Sequence, residues 1–233
     1  MATRYAIYFV PAASSMLWRF GCEILGQDAY TGMEVPQWLP NGLTPVHWQA
    51  MTADPRHYGF HATLKAPFRL AEGRDETDIA ALLAAFAREH TPVDLGPWVI
   101  QPIGSSHADR AFLAVTPLSP PAALSRLESA IVRRFDMLRA PLTPAEIARR
   151  TPERLTERQR VYLEAHGYPY VLDEFRFHMT LTGAIEGAAA MGEKLSARAQ
   201  MVGVEPSLHL DRLGLFRQDG GGRFQIVTVV GLG

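Results

Sequence analysis

Residues 58–65 read Tyr-Gly-Phe-His-Ala-Thr-Leu-Lys, and residues 175–182 read Phe-Arg-Phe-His-Met-Thr-Leu-Thr. Both contain Phe-His-x-Thr-Leu, and the two histidines, His61 and His178, stand about half of the 233-residue chain apart. A His followed two places later by Ser or Thr should occur roughly once in this composition, but the longer match should not. The repeat therefore predicts a duplicated structural unit with one histidine in each half.

The segments around the two motifs predict a similar succession of elements in each half. Predicted strands cover residues 5–10, 59–70, 93–103, 111–116, 174–183, 208–216 and 224–230, with a turn at 104–106. Helices should begin after capping residues at Ser14 or Ser15, Asp75, Ser119, Thr143 and Thr151, and a further helix should cover 188–199. Residues 31–55, with four prolines, predict a long loop.

These elements predict an α+β fold formed by a single two-lobed domain over residues 1–233. Each lobe should hold an antiparallel sheet with helices on its outer face, one motif at 58–68 and the other at 174–184. A central cleft should separate the lobes, and residues 139–167 should form a helical insertion. We expect this arrangement because each half supplies one sheet and one set of covering helices.

The composition excludes several classes of protein. Lys plus Arg number 23 and Asp plus Glu 24, so the chain is not a globally basic nucleic-acid coat. The single cysteine, Cys22, excludes an internal disulfide framework. We see no signal peptide and no run of 18 apolar residues, so the sequence predicts a cytoplasmic protein without a membrane partner.

Strand geometry places the polar residues of each motif together, because alternate side chains point to opposite faces of a strand. One row should hold His61, Thr63 and Lys65. The other should hold Arg176, His178 and Thr180. The apolar residues between them should anchor the strands in the core, and the two rows should face each other across the cleft.

Such a cleft suits a phosphodiester. Two histidines can divide the proton transfers, with a neutral ring as general base and a protonated ring as general acid. The hydroxyls of Thr63 and Thr180, with Lys65 or Arg176, can bind the non-bridging oxygens. Further candidates for substrate binding are Tyr8, Arg56, Tyr58 and Tyr168.

The paired Phe-His-x-Thr-Leu strings and their half-chain spacing resemble the two-histidine (2H) phosphoesterase superfamily. The sequences at residues 4–9, 58–68 and 167–183 are similar to those of the bacterial branch found with phosphonate-utilisation genes. The resemblance implies a bilobal fold, a catalytic pair in His61 and His178, phosphate ligands in Thr63 and Thr180, and no metal or other cofactor. The implied function is a phosphodiesterase or cyclic phosphodiesterase acting on a small phosphorylated metabolite or nucleotide.

Three alternatives stay open at this point. Residues 133–160 hold eight arginines and four acids, which favours RNA 2′-5′ or 2′,3′-cyclic end processing if those arginines follow a phosphate backbone. We instead expect a solvated insertion, in which Arg149 and Arg150 do not affect a small substrate. A non-catalytic anion-binding protein of the same fold is the second alternative, and a metal site at the two histidines is the third. The sequence sets neither the physiological substrate nor the oligomeric state.

Overall fold

Strands and helices alternate along the computed structural model, which describes residues 2–104 and 110–233. The strands are β1 (Arg4–Phe9), β2 (Ala62–Phe68), β3 (Val93–Ile103), β4 (Arg110–Pro117), β5 (Met179–Thr180), β6 (Ile185–Glu186), β7 (Ser207–Leu210), β8 (Arg212–Gln218) and β9 (Gln225–Gly231). The helices are α1 (Met16–Leu25), α2 (Pro45–Met51), α3 (Ala53–Tyr58), α4 (Glu76–Arg88), α5 (Ala122–Phe135), α6 (Pro144–Ala148), α7 (Glu157–His166) and α8 (Ala188–Met201). The α+β class is thus present. Residues 105 and 106 of the predicted turn lie outside the described residues.

One antiparallel sheet of nine strands runs through the molecule in the order β7-β3-β4-β5-β2-β1-β8-β9, with β6 paired to β4. The two motif strands, β2 and β5, are neighbours at its centre, and each side of their junction continues through three further strands. The site is therefore built where the two halves of this sheet join.

The structure does not show two lobes of consecutive sequence. The β3–β4 hairpin follows β2 in the chain but pairs with β5, the strand of the other motif. The β8–β9 hairpin follows β5 but pairs with β1, on the side of β2. The hairpins are exchanged between the halves, so both halves of the chain contribute strands to each side of the sheet.

Helices cover the sheet, and several begin at the residues that the sequence indicates. The Ser15 side chain accepts from the Trp18 amide at the start of α1, and Asp75 forms a reciprocal cap at α4. Helix α8 packs on β3 and β4, and α5 packs near β2. No helix in the described ranges combines the length and apolar character needed to cross a membrane.

Local differences from the expected elements have identifiable causes. The predicted loop at 31–55 contains α2 and the first half of α3. Helix α2 forms because Thr44 caps it and Pro45 occupies its first turn. Helix α5 begins at Ala122 with Pro121 as its cap, two residues later than Ser119 indicates. The predicted strand at 208–216 divides at Asp211, where β7 leaves for β3 and β8 pairs with β1.

Candidate active site

The two motifs meet as direct neighbours in the sheet. Ala62 of β2 pairs with Met179 of β5 in antiparallel register. Extending this register by one residue to either side places His61 opposite Thr180 and Thr63 opposite His178. Directly opposite residues share a face, and diagonal neighbours lie about 7–8 Å apart. The four residues form a square on one sheet face, with the histidines on one diagonal and the threonines on the other.

This arrangement differs from the expected one. The sequence predicts two rows facing each other across a cleft between separate lobes. In the structure the rows lie side by side on adjacent strands, and residues from loops and other strands close the site around them. As expected, the histidine and threonine of each motif are two residues apart and so share one strand face, and this places all four side chains on the same face of the sheet.

The His61 ring is held on three sides. Its Nδ1 lies 2.9 Å from the Gly59 carbonyl oxygen, and its Nε2 lies 3.1 Å from the Thr63 hydroxyl. Tyr8 of β1 stacks on the ring with centroids 3.8 Å apart. A carbonyl only accepts, so Nδ1 carries the hydrogen and the neutral ring presents the Nε2 lone pair to the Thr63 hydroxyl.

Gly59 is required at its position. Its φ is +77°, a backbone conformation that side chains rarely adopt. An added Cβ would also stand 2.8 Å from the Ala29 Cβ. The glycine thereby allows the tight turn that presents its carbonyl oxygen to His61.

His178 repeats the same hydrogen bond. Its Nδ1 lies 2.7 Å from the Arg176 carbonyl oxygen, again two residues earlier in the chain. The ring of Phe112 from β4 lies 5.7 Å away. Both neutral histidines therefore hold the tautomer in which Nδ1 carries the hydrogen and Nε2 is unprotonated.

Burial lowers the pKa of both histidines. The pKa of His61 falls to about 4, chiefly by burial; its hydrogen bond to the Gly59 carbonyl opposes the shift, and the charge of protonated His178 adds to it. The pKa of His178 is lowered by burial alone, and its hydrogen bond to the Arg176 carbonyl opposes that shift. His61 is thus the ring more strongly held in its neutral form.

A cavity of about 280 Å³ opens beside the square. His61, Thr180, Tyr58 and Phe112 are among the residues that line it. Pockets for small ligands commonly have a volume of roughly 300–1,000 Å³, so this cavity, just below that range, suits only a small molecule. Asp54 also lines the cavity. Neither Asp54 nor Phe112 belongs to a motif, so the sequence offers no signal for either residue.

Lys65 does not lie at this site, contrary to the expectation from strand parity. Phe9 pairs with Ala62 and Tyr8 with Thr63, but Ile7 pairs with Lys65, so Leu64 is an extra residue in β2. This β-bulge turns the following side chain to the opposite face. Lys65 is 3% exposed and donates to the Asp136 carboxylate at 2.9 Å and to the Val132 carbonyl at 3.1 Å.

Two further predicted residues have other roles. Arg56 donates to the Leu25 carbonyl at 2.6 Å and to the Gln37 side chain at 2.9 Å, so it ties α3 to α1 and the loop after it. The Arg176 side chain is exposed and lines a neighbouring groove of about 1130 Å³ with Arg126 and Arg133. Neither histidine lines that groove.

Two of the three predicted tyrosines, Tyr8 and Tyr58, lie near His61, and the third, Tyr168, contacts an arginine. The Tyr58 ring lies 6.2 Å from the His61 ring, and the Tyr8 ring stacks on the His61 ring. The guanidinium of Arg150 lies 4.9 Å from the centre of the Tyr168 ring. Arg150 is half-buried, so this part of the insertion contacts Tyr168 rather than extending wholly into solvent. That Arg149 and Arg150 do not affect a small substrate stays a prediction.

The donor set for a metal is limited. Within the described ranges, no three or more His, Cys, Asp and Glu side chains group so as to hold a metal ion. His57 is directed elsewhere, since its Nε2 lies 2.7 Å from the Gln218 side-chain nitrogen.

Comparison with known proteins gives one family and two similar curated proteins. Residues 63–225 match the family model described as "Protein of unknown function (DUF1045)". A protein of Janthinobacterium sp. (strain Marseille) named "Ribose 1,5-bisphosphate phosphokinase PhnN" is 39% identical over 188 residues, which cover 81% of this chain and 40% of that protein. A protein of the same name from Laribacter hongkongensis (strain HLHK9) is 33% identical over 185 residues, which cover 78% and 40%. The chain thus spans about 40% of the length of these relatives.

Two solved structures of Kluyveromyces marxianus Usb1 show a weak similarity. One has a TM-score of 0.34 and 11% identity over 99% of this chain and 96% of that chain. The other, with uridine monophosphate, has a TM-score of 0.32, with the same identity and coverage. No statement about fold or function follows from a similarity of this size.

Proposed function

The chain belongs to the DUF1045 family of proteins of unknown function, and we propose that it is a phosphodiesterase of the two-histidine type. Its substrate would be a small phosphorylated metabolite or nucleotide, including cyclic phosphates. The observation that carries this proposal is the square of His61, Thr180, Thr63 and His178, with the two histidines on one diagonal. Displacement at phosphorus needs attacking and leaving oxygens roughly in line, and diagonal histidines can serve those two positions.

Each member of the square has a role. The His61 Nε2 accepts a proton from the attacking water as its oxygen bonds to phosphorus. The protonated His178 Nε2 donates its proton to the leaving oxygen as the phosphorus–oxygen bond breaks. The Thr180 hydroxyl donates to a non-bridging oxygen. When substrate binds, the Thr63 hydroxyl turns its hydrogen from His61 Nε2 to the other non-bridging oxygen, which frees Nε2 to accept the proton; both hydroxyls then stabilise the charge that develops on phosphate. The products are a phosphomonoester and an alcohol, and the two histidines exchange a proton with solvent before the next turnover.

The pKa shifts support this assignment of base and acid. Burial and the charge of His178 both oppose protonation of His61, so His61 serves as the base. Because the two rings interact, protonation of one disfavours protonation of the other. A bound diester anion favours the protonated form of His178 and so supplies the acid. Two histidines provide both proton transfers without a metal-bound water.

The relatives support a substrate class. Their name refers to ribose 1,5-bisphosphate, a pentose with two phosphate groups. The chain covers about 40% of those proteins and contains no Gly-x-x-x-x-Gly-Lys-Ser/Thr sequence of the P-loop kind. We therefore assign this chain a diester-cleaving step on a phosphorylated pentose or nucleotide rather than the phosphokinase step.

Purified chain should hydrolyse at least one cyclic phosphate in the presence of excess EDTA. The screen would cover nucleoside 2′,3′- and 3′,5′-cyclic phosphates, cyclic phosphates of pentoses, and short RNAs with 2′,3′-cyclic ends, with phosphate ester products measured by ³¹P NMR. Because both proton transfers come from histidine, chelator should not change the rate. Loss of activity in EDTA and recovery with Zn²⁺ or Mn²⁺ would contradict the mechanism.

Short RNAs in the same screen test whether the chain processes RNA ends instead of cleaving a small metabolite. The large groove with Arg126, Arg133 and Arg176 is the feature that favours RNA, because it could follow a phosphate backbone. A rate on RNA far above that on small cyclic phosphates, falling steeply with salt, would favour this alternative. We expect the small substrates to react faster, because the cavity beside His61 has only about 280 Å³.

The pH profile should have its maximum on the acid side of 6.5. His61 must be neutral, which holds above its pKa of about 4. His178 must be protonated, which holds below its pKa, and burial lowers that pKa from the ordinary 6.5. A plot of kcat/KM against pH should therefore be bell-shaped and should fall as the pH rises through neutrality. A rate that stays constant up to pH 8 would contradict the assignment of His178 as acid.

A further inference from the structure

One acidic side chain lines the cavity beside the proposed catalytic square. Asp54 of α3 shares this space of about 280 Å³ with His61 and Thr180. The described residues around the cavity include no lysine and no arginine, so no permanent cation there offsets the carboxylate. A carboxylate next to a phosphate site repels the substrate anion, unless the substrate places a hydrogen-bond donor towards it. The position of Asp54 therefore restricts which substrates the cavity can take.

Asp54 is presented by backbone that is tied to its surroundings. Arg56, on the same helix, donates to the Leu25 carbonyl at 2.6 Å. On the other side, the Gly183 amide donates to the Met51 carbonyl at 2.7 Å, just before α3. The start of α3 is thereby joined both to α1 and to the chain that follows motif strand β5.

The carboxylate lies close to the second motif. A Cβ added at Gly183 would stand 3.7 Å from Asp54 Oδ2, so this oxygen lies over the backbone three residues beyond Thr180. Gly183 itself lines the cavity. The absence of a side chain at Gly183 leaves room for a substrate group between the carboxylate and the square.

The carboxylate is not used to hold the proposed base. The His61 ring nitrogens lie against the Gly59 carbonyl and the Thr63 hydroxyl, so Asp54 does not orient this ring as the acid of a Ser-His-Asp triad does. Asp54 also takes part in no ion pair between residues of the described ranges. Its oxygens are therefore available as acceptors to a ligand in the cavity.

The chemistry of a carboxylate restricts the group that it can bind. An ionised carboxylate only accepts hydrogen bonds, so it selects a hydroxyl or an ammonium group. Binding of a quaternary ammonium uses open aromatic faces on several sides. Tyr58 and Phe112 line this cavity, but the Tyr58 ring is already stacked with Phe224 at 5.2 Å. A hydroxyl of a sugar needs no such cage.

We propose that Asp54 is a specificity-determining residue, whose carboxylate accepts a hydrogen bond from a sugar hydroxyl on the carbon next to the phosphorylated one. The inference rests on the proposed function, because it names a substrate class for that same site. It favours phosphate esters of sugars with a free neighbouring hydroxyl over their deoxy forms. A second phosphate group in this cavity would face the carboxylate, so any further phosphate of the substrate must lie outside it.

The test measures binding by calorimetry, which does not depend on turnover. Adenosine 3′-phosphate and 2′-deoxyadenosine 3′-phosphate differ only in the hydroxyl next to the phosphorylated carbon. The wild type should bind the ribonucleotide roughly 10- to 100-fold more tightly, the scale of a hydrogen bond to a charged group. Glu72→Ala, which removes an exposed carboxylate away from the cavity, should keep this preference.

The preference should disappear in Asp54→Ala and be kept in part by Asp54→Asn, which retains one acceptor oxygen. The deoxynucleotide should bind Asp54→Ala at least as tightly as the wild type, because the repulsion is gone, whereas a damaged fold would weaken both ligands. Thermal melting of each variant would show whether it is folded, and the asparagine variant serves if the alanine variant is unstable.

Equal binding of the two nucleotides by the wild type, binding of neither, or a preference that survives in Asp54→Ala would overturn the proposal. Tighter binding of phosphocholine that depends on Asp54 would assign the carboxylate to an ammonium group and would overturn it as well. An Asp54-dependent preference without hydrolysis of any cyclic phosphate would leave the hydroxyl contact standing, and the phosphodiesterase proposal would fail. Hydrolysis without the preference would have the opposite meaning.

Discussion

Replacement of His61 or His178 by alanine should lower kcat on a cyclic phosphodiester by roughly 10²–10⁴-fold, the usual scale for loss of a general acid or base. Each change removes one of the two proton transfers and leaves both threonines to bind the phosphate. KM should therefore change much less than kcat. Steady-state kinetics of the two single variants and the double variant would measure both effects.

The double variant should be little slower than the slower single variant, because groups that act as one unit have non-additive effects. His209→Ala is a suitable control, since this histidine lies on β7, is mostly exposed, and contacts Asp94 rather than the site. A single variant that keeps a rate close to that of the wild type would exclude that histidine from the mechanism.

Asp136→Asn should lower the free energy of unfolding by about 2–4 kcal/mol, because it leaves the buried Lys65 ammonium without its carboxylate. The same change also removes the partner of Arg139, which lies 2.8 Å from Asp136 Oδ1. Two cations would then lie close together with little compensation. Urea denaturation of the wild type and variant would measure the loss.

Lys65→Met is the matched comparison for this prediction. It removes the buried charge, fills similar volume with an apolar side chain, and leaves Asp136 paired with Arg139, so the expected change is within about 1 kcal/mol. Neither variant should alter KM when measured on folded protein. A rise in KM for Lys65→Met, with stability unchanged, would return Lys65 to the substrate site.

The sequence predicts which residues of each motif share a strand face, because that information is local; it does not predict that the two motifs are neighbouring strands. Because side chains alternate along a strand, residues 61 and 63 lie on one face of their strand, and so do residues 178 and 180 of theirs. Lys65 shows where such reasoning stops. The same alternation would place it beside Thr63, but the bulge at Leu64 reverses the face, and a bulge depends on pairing with β1 rather than on the motif itself.

The partners of the motif strands were beyond the reach of local patterns. Both hairpins are visible in the sequence, yet nothing in them says that β3–β4 joins β5 and that β8–β9 joins β1. The contact between Arg150 and Tyr168 was beyond local patterns for the same reason. It joins residues distant in the chain, and the arginine-rich composition around Arg150 predicts only a solvated surface.

The exchange of hairpins has a consequence for biosynthesis. The rings that support His61 and its neighbouring tyrosines include Phe216 of β8, 4.7 Å from Tyr8, and Phe224, 5.2 Å from Tyr58. During synthesis, both histidine motifs are complete before Phe216 and Phe224 are added to the chain. Until β8 and β9 emerge, β1 exposes an unpaired edge, which is where nascent chains associate wrongly. Assembly of the centre should therefore follow the synthesis of β8 and β9, slowed by long-range strand pairing and favoured by chaperones that shield β1.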